Sequence, residues 1–260
     1  MSFYLRKNQI KNYLSQKGPF VIIGLINIVL FHYAILRLFF FLYESSGRQT
    51  TVSPFKAIVV NSLLIIFFSV PHSILLQSAT KKKFLNYIPN TLYSTFYSLH
   101  ACVAIILMDE FWVDFGGSLY TFEGPLRVVF NGLYILSWLF MLWAMISTGL
   151  LRQSGIEEWY QSLRGKKIKN SLASTGAYGL CRHPIYAAFI AMMWSTPNMS
   201  YDHLFLSLGW LFYILWGAGQ KERRLMRNTL YKTYANQIPA FPFIGKIGDA
   251  ILLKLLWRIS

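Results

Sequence analysis

The sequence predicts an all-α polytopic integral membrane protein of about six hydrophobic helices, with a C-terminal helical hairpin and an amphipathic tail. Three observations carry that prediction. Of 260 residues, 55% are hydrophobic and only 13% charged, far from the composition of an ordinary soluble domain. Apolar runs recur that reach the roughly 20 residues a bilayer crossing needs. The 25 Lys and Arg, against 10 Asp and Glu, gather in short runs between those stretches. A net charge of +15 could suggest nucleic acid, but charge divided among apolar segments makes no continuous basic face. It reads as a topology signal instead, and no nucleic-acid partner is expected.

Taken in order, the first span is Pro19 to Tyr43, preceded by Arg6, Lys7, Lys11 and Lys17 and too long for a signal-peptide core. Arg37, near its far end, is placed to snorkel. The second span, Ala57 to Gln77, carries Asn61, Pro71, His72 and Ser73 in a Leu/Ile/Phe-rich run, and polar groups at that depth need partners within the bundle. A third runs from about Thr91 to Met108 with Tyr93 and Tyr97 on one face. An acidic connector with Asp109, Glu110, Asp114 and Glu123 leads to the fourth, Leu126 to Thr148. Then comes the longest polar segment, 149–183, with six Lys and Arg against Glu157 and Glu158. The apolar run from Pro184 to Pro197 is too short to span, so it predicts one half of a tight hairpin that returns through His203 to Gly219. The helical pattern continues from Lys221 to Tyr234 without Gly or Pro, and the chain closes with an amphipathic piece, Ile247 to Ile259.

Lys and Arg favour alternate connectors, which places both termini on the cytoplasmic side of a multi-pass protein. Residues 1–148 form an N-terminal four-helix region and 149–260 a C-terminal region of loop, hairpin and tail, expected to make one structural unit. Two cysteines, Cys102 and Cys181, have no metal-ligand or disulfide spacing, and no metal is expected.

The chemistry concentrates where the polar loop becomes the hairpin. Arg182-His183-Pro184-x-Tyr186 starts a helix at the membrane surface, because proline suits the first helical turn and steers its predecessor out of the helical region. Exposed N–H groups at a helix start, with an arginine beside them, attract an anion. Antiparallel geometry brings Glu222, at the far end of the hairpin, to the same depth as His183 and Tyr186. An acid among arginines there needs a cationic partner.

Arg182-His183-Pro184-x-Tyr186, then Glu222-x-x-Leu225, Tyr231-x-x-Tyr234 and Ile238-Pro239-Ala240-Phe241-Pro242, resembles the C-terminal signature of the isoprenylcysteine carboxyl methyltransferase and phospholipid methyltransferase superfamily. Upstream, His72-Ser73, Leu151-Arg152-Gln153, Trp159, Leu163-Arg164-Gly165, Trp194-x-x-Pro197-x-Met199 and His203-Leu204 are similar to its NnrU, nurim and methanethiol S-methyltransferase branch. Three positions differ from the superfamily pattern: Ala188 stands where a glycine is usual, Lys221 where an acid is common, and the link from Glu222 to Tyr231 is shorter.

The resemblance implies a membrane-embedded methyltransferase using S-adenosylmethionine, with His183, Tyr186, Glu222, Tyr231 and Tyr234 at the cofactor. To these we add Arg182 for the cofactor carboxylate. The implied methyl acceptor is a small or lipophilic molecule arriving from the lipid bilayer, foremost a thiol. A thiol must become a thiolate, and Arg152 and His72 are the candidate groups for that task. Methylation of an isoprenylcysteine carboxylate or a phospholipid, and a non-catalytic NnrU-like or nurim-like role, are the alternatives.

Overall fold

The computed structural model describes residues 2–43, 52–164, 166, 173–242, 245 and 249. Among the described residues, four helices are long and apolar enough to cross a membrane: α1 (Ser2–Tyr43, apolar from Gly18), α2 (Pro54–Leu75), α4 (Asn90–Phe111) and α5 (Gly124–Thr148), with a short α3 (Ser78–Phe84) between the second and third. Large apolar side chains such as Val29, Phe40, Leu63, Val128 and Leu136 point outward from α1, α2 and α5. A surface of that kind is stable only against lipid, and the chain is an all-α, multi-pass integral membrane protein.

The short helix of the hairpin, α7 (Pro184–Trp194), is the centre of the bundle rather than its edge. Ala188, Met192 and Met193 are wholly buried against Leu38, Tyr134, Met141, Leu206 and Trp210, which come from α1, α5 and the returning helix α8 (Tyr201–Leu225). At 11 residues, α7 is about 16 Å long. Such a short segment is held at membrane depth by being surrounded with protein.

The hairpin tip is fastened by something the sequence did not announce. A two-stranded antiparallel pair joins β1 (Ser118–Thr121), in the acidic connector, to β2 (Asn198–Ser200), between α7 and α8. Behind it Trp112 Nε1 donates to the buried Asp202 carboxylate at 2.9 Å, and His203 Nε2 lies 2.8 Å from the Met193 carbonyl. Asp109 and Glu110 belong to the last turn of α4, where they pair with Arg37 of α1. Arg37 is therefore ion-paired within the bundle instead of snorkelling alone.

At the opposite end the long polar segment contains α6 (Ile156–Leu163), which docks on α1 and α4. Trp159 Nε1 donates to the Phe20 carbonyl at 2.8 Å and Asn27 Nδ2 to the Ser154 carbonyl at 2.8 Å. Gly155, with φ of 69°, passes so close to α4 that an added Cβ would lie 2.6 Å from the Ser94 carbonyl carbon. A further correction concerns the chain after Gly219. The expected unbroken helix to Tyr234 stops at Leu225 and restarts as α9 (Thr229–Gln237), with the Asn228 side chain accepting from Leu230 N at 2.9 Å. The amphipathic piece expected over 247–259 lies outside the described residues, apart from Asp249.

Candidate functional site

The two ends of the α7–α8 hairpin meet, and they meet through charge. Arg182 Nε and Nη2 donate to the two Glu222 oxygens at 3.0 Å each, a fork-to-fork pair with both side chains almost fully buried. The second face of the guanidinium is taken by Asp249, at 2.9 and 3.4 Å, and Nη1 also donates to the carbonyls of Ala235 and Ile238. All five N–H groups of an arginine are thereby accounted for.

The tail is tied to the same place. Arg182 N donates to the Pro239 carbonyl at 2.9 Å, His183 N to the Ala240 carbonyl at 3.0 Å, and Ala240 N to Asp249 at 3.0 Å. The segment Ile238-Pro239-Ala240-Phe241 thus lies across the start of α7 and satisfies the backbone N–H groups of the two residues that precede Pro184. Tyr231 of α9 donates its hydroxyl to Glu222, and Tyr234 donates to the Tyr178 carbonyl at 2.6 Å. Tyr178 sits in a short 3-10 turn, Gly176–Gly179, packed on the end of α5.

His183 stands between this ionic centre and an aromatic wall. Its ring stacks on Tyr186 at 5.3 Å and 22° and tilts against Phe241 at 5.7 Å. Nε2 lies 3.0 Å from a Glu222 oxygen without the alignment of a full hydrogen bond, and Nδ1 is buried with no partner. Burial pushes the imidazole pKa down, so the ring is neutral and its unpaired nitrogen is an unmet need inside the protein. Glu222 goes the other way from what burial alone would do: the close approach of the His183 ring and the donors of Arg182 and Tyr231 hold its carboxyl at about 2. Cys181, wholly buried, has its thiol pushed up to about 11 by burial, which leaves no nucleophile there.

Arg182, His183, Tyr186, Glu222, Tyr231 and Tyr234 are therefore one cluster. For Arg182, however, the geometry differs from the expected role: a guanidinium whose donors all go to protein acceptors organises the site and is not presented to a ligand carboxylate. His72 lies in an adjoining aromatic group at the same end of the bundle. Its ring stacks on Phe68 at 4.9 Å, Nε2 hydrogen-bonds the Tyr97 hydroxyl, and Nδ1 is buried and unpartnered. Tyr213 of α8 packs on the same imidazole at 6.3 Å and accepts from Ser73 at 3.3 Å. Arg152 occupies the tight turn between α5 and α6, its amide donating to the Gly149 carbonyl at 3.0 Å.

Sequence reasoning missed Asp249 and Tyr178. Asp249 was visible as a rare acid in a basic tail; Tyr178, which supplies a backbone carbonyl, had no signal.

Among known proteins, the chain is 28% identical over 187 residues to the methanethiol S-methyltransferase of Pseudomonas sp. strain GM41(2012), covering 70% of this chain and 72% of that one. It is 27% identical over 214 residues to the methanethiol S-methyltransferase of Crocosphaera subtropica, covering 79% and 83%. Nurim of Danio rerio is 24% identical over 170 residues, 62% of each chain. No family model and no solved structure matches the chain.

Proposed function

We propose that this protein, a relative of the methanethiol S-methyltransferases and of nurim, is a membrane-embedded S-adenosylmethionine-dependent methyltransferase whose acceptor is a small thiol. The observation that carries the reading is the hairpin closure: His183, Tyr186, Glu222 and Tyr231, scattered over 49 residues of sequence, converge on a buried cluster with an unpartnered imidazole nitrogen. Buried polar atoms are rarely left unpaired unless something binds them.

The residues fit such a cofactor. Tyr186 and Phe241 offer aromatic surface suited to a nucleoside or a sulfonium, and His183 Nδ1 a polar atom with no protein partner. When bound, S-adenosylmethionine supplies a methyl group on a sulfonium that already carries its leaving group. The protein's part is orientation, exclusion of water and removal of one proton from the acceptor. We assign that proton to His72, whose Nδ1 has no protein partner and whose Nε2 is steadied by Tyr97. Arg152 stays a candidate for lowering the thiol pKa, on charge alone. Arg182 acts as the hub that fixes Glu222 and the tail. The site end of the bundle, which carries Lys81, Lys82, Lys83 and Arg164, faces the cytoplasm.

Detergent-purified full-length protein is expected to bind S-adenosylmethionine by calorimetry, and cells supplied with methanethiol to release the methylated thioether into the headspace. His72→Ala is expected to abolish thioether release while leaving cofactor binding within about twofold, roughly the margin of a residue that touches only the acceptor. Wild-type protein that melts cooperatively yet binds no S-adenosylmethionine would leave the non-catalytic, nurim-like reading in its place.

A further inference from the structure

With every Arg182 donor engaged, the amino-acid end of the cofactor still requires a cation. Lys221 supplies one. It precedes Glu222 near the C-terminal end of α8, is half-buried, and holds its ammonium 5.5 Å from the centre of the Tyr186 ring. Among the described residues no acid forms an ion pair with it. Glu222, its neighbour in sequence, is already shared by Arg182, His183 and Tyr231. Tyr186 also stacks on His183, whose Nδ1 is buried and unpartnered. One aromatic ring therefore touches both an ammonium without an ion pair of its own and a histidine with a polar atom lacking a hydrogen bond. Both deficits cost free energy as they stand, and a single ligand with a carboxylate at one end would relieve them together. Burial and the neighbouring Arg224 charge push the Lys221 pKa down, and a carboxylate placed beside it would push it back up.

We infer that Lys221 binds the α-carboxylate of the methyl donor, the role that Arg182 suggests by sequence and relinquishes by geometry. This rests on the proposed function and adds to it the residue that selects donors bearing an amino-acid carboxylate.

The test compares two neutral thioethers that share a nucleoside and differ in the amino-acid end: S-adenosylhomocysteine, which has the carboxylate, and 5′-methylthioadenosine, which does not. Equilibrium binding of each is measured on full-length wild type, Lys221→Met and Lys221→Arg in detergent, with a thermal melt of each variant. Loss of a charge-assisted contact is expected to weaken S-adenosylhomocysteine binding to Lys221→Met by about 10- to 100-fold and to leave 5′-methylthioadenosine within about twofold. Lys221→Arg is expected to keep most of the S-adenosylhomocysteine affinity. An equal loss for both ligands, or no loss for either, overturns the assignment. Wild-type protein that binds neither ligand removes the methyltransferase reading and this inference with it, a result distinct from a Lys221→Met variant that treats the two ligands alike.

Discussion

Glu222 shows what a buried acid costs and what it gives. It accepts from Arg182 and Tyr231 in a space closed to water, and taking away one member of such a set strands the others. Glu222→Gln is expected to lower stability by about 3–5 kcal/mol at neutral pH, read by chemical denaturation in detergent, because the Arg182 charge stays buried with only Asp249 to face. The acid limb follows from the same group. Its folded pKa, about 2, lies below the unfolded value of about 4.3, so its stabilisation is complete above the unfolded value and is lost as pH falls from there toward the folded one. Melting curves from pH 5 to pH 2 should fall less steeply for Glu222→Gln than for wild type; parallel curves would show that the carboxylate is not so perturbed. At this scale much was legible. Hairpin geometry alone placed Glu222 beside His183, because antiparallel neighbours of known length must align at their ends. Asp249 escaped because an ion pair spanning 67 residues leaves no local pattern, and the donor count on Arg182 is knowable only once every acceptor has coordinates.

The break between α8 and α9 illustrates an element that sequence pattern could not deliver. Lys221 to Tyr234 lacks glycine and proline and keeps helical spacing, yet Glu222 and Tyr231 are nine residues apart, about two and a half turns, which would put them on opposite sides of an unbroken helix. Stopping at Leu225 and restarting at Thr229 turns Tyr231 back to the carboxylate. Asn228 caps the restart, so Asn228→Ala is expected to cost about 1 kcal/mol and Asn228→Gly only a few tenths, measured by unfolding and by weakened cofactor binding. A second element-level contrast concerns α6. Gly155→Ala has to fit a methyl against the α4 backbone at positive φ, whereas Gly124→Ala, also at positive φ, opens into empty space. The first is expected to lower the melting temperature several times more than the second; equal shifts would mean that backbone strain alone matters, and not the close approach of α6 to α4. The β1–β2 pair was equally hidden, since strands of four and three residues carry too little alternation to stand out.

For the molecule as a whole, the count of apolar stretches and the clustering of charge already specified a helical membrane protein, and the lipid-facing side chains of α1, α2 and α5 bear that out. What composition could not show is that the shortest apolar helix occupies the middle, because burial by protein and burial by lipid select the same residue types. The orientation proposed above is open to a direct check. Both native cysteines are buried, so single cysteines placed at Ser118 and Lys166 report without background. An impermeant maleimide added to intact cells should label Ser118→Cys and spare Lys166→Cys until the membrane is opened, and the reverse order would invert the topology.

The tie between Arg182 and Asp249 also bears on how the protein is made. A ribosome finishes α7 and α8 well before it reaches residue 249, and chains fold from the N-terminus as they emerge. Through that interval the guanidinium is paired with Glu222 and lacks its second carboxylate partner. Synthesis past residue 249 thus adds a second carboxylate to a pair already formed, and a polypeptide terminated before it would leave the Ala240 amide and part of the guanidinium without the acceptor they share, a defect by which the cell's proteases could tell it from a chain that has closed its tail.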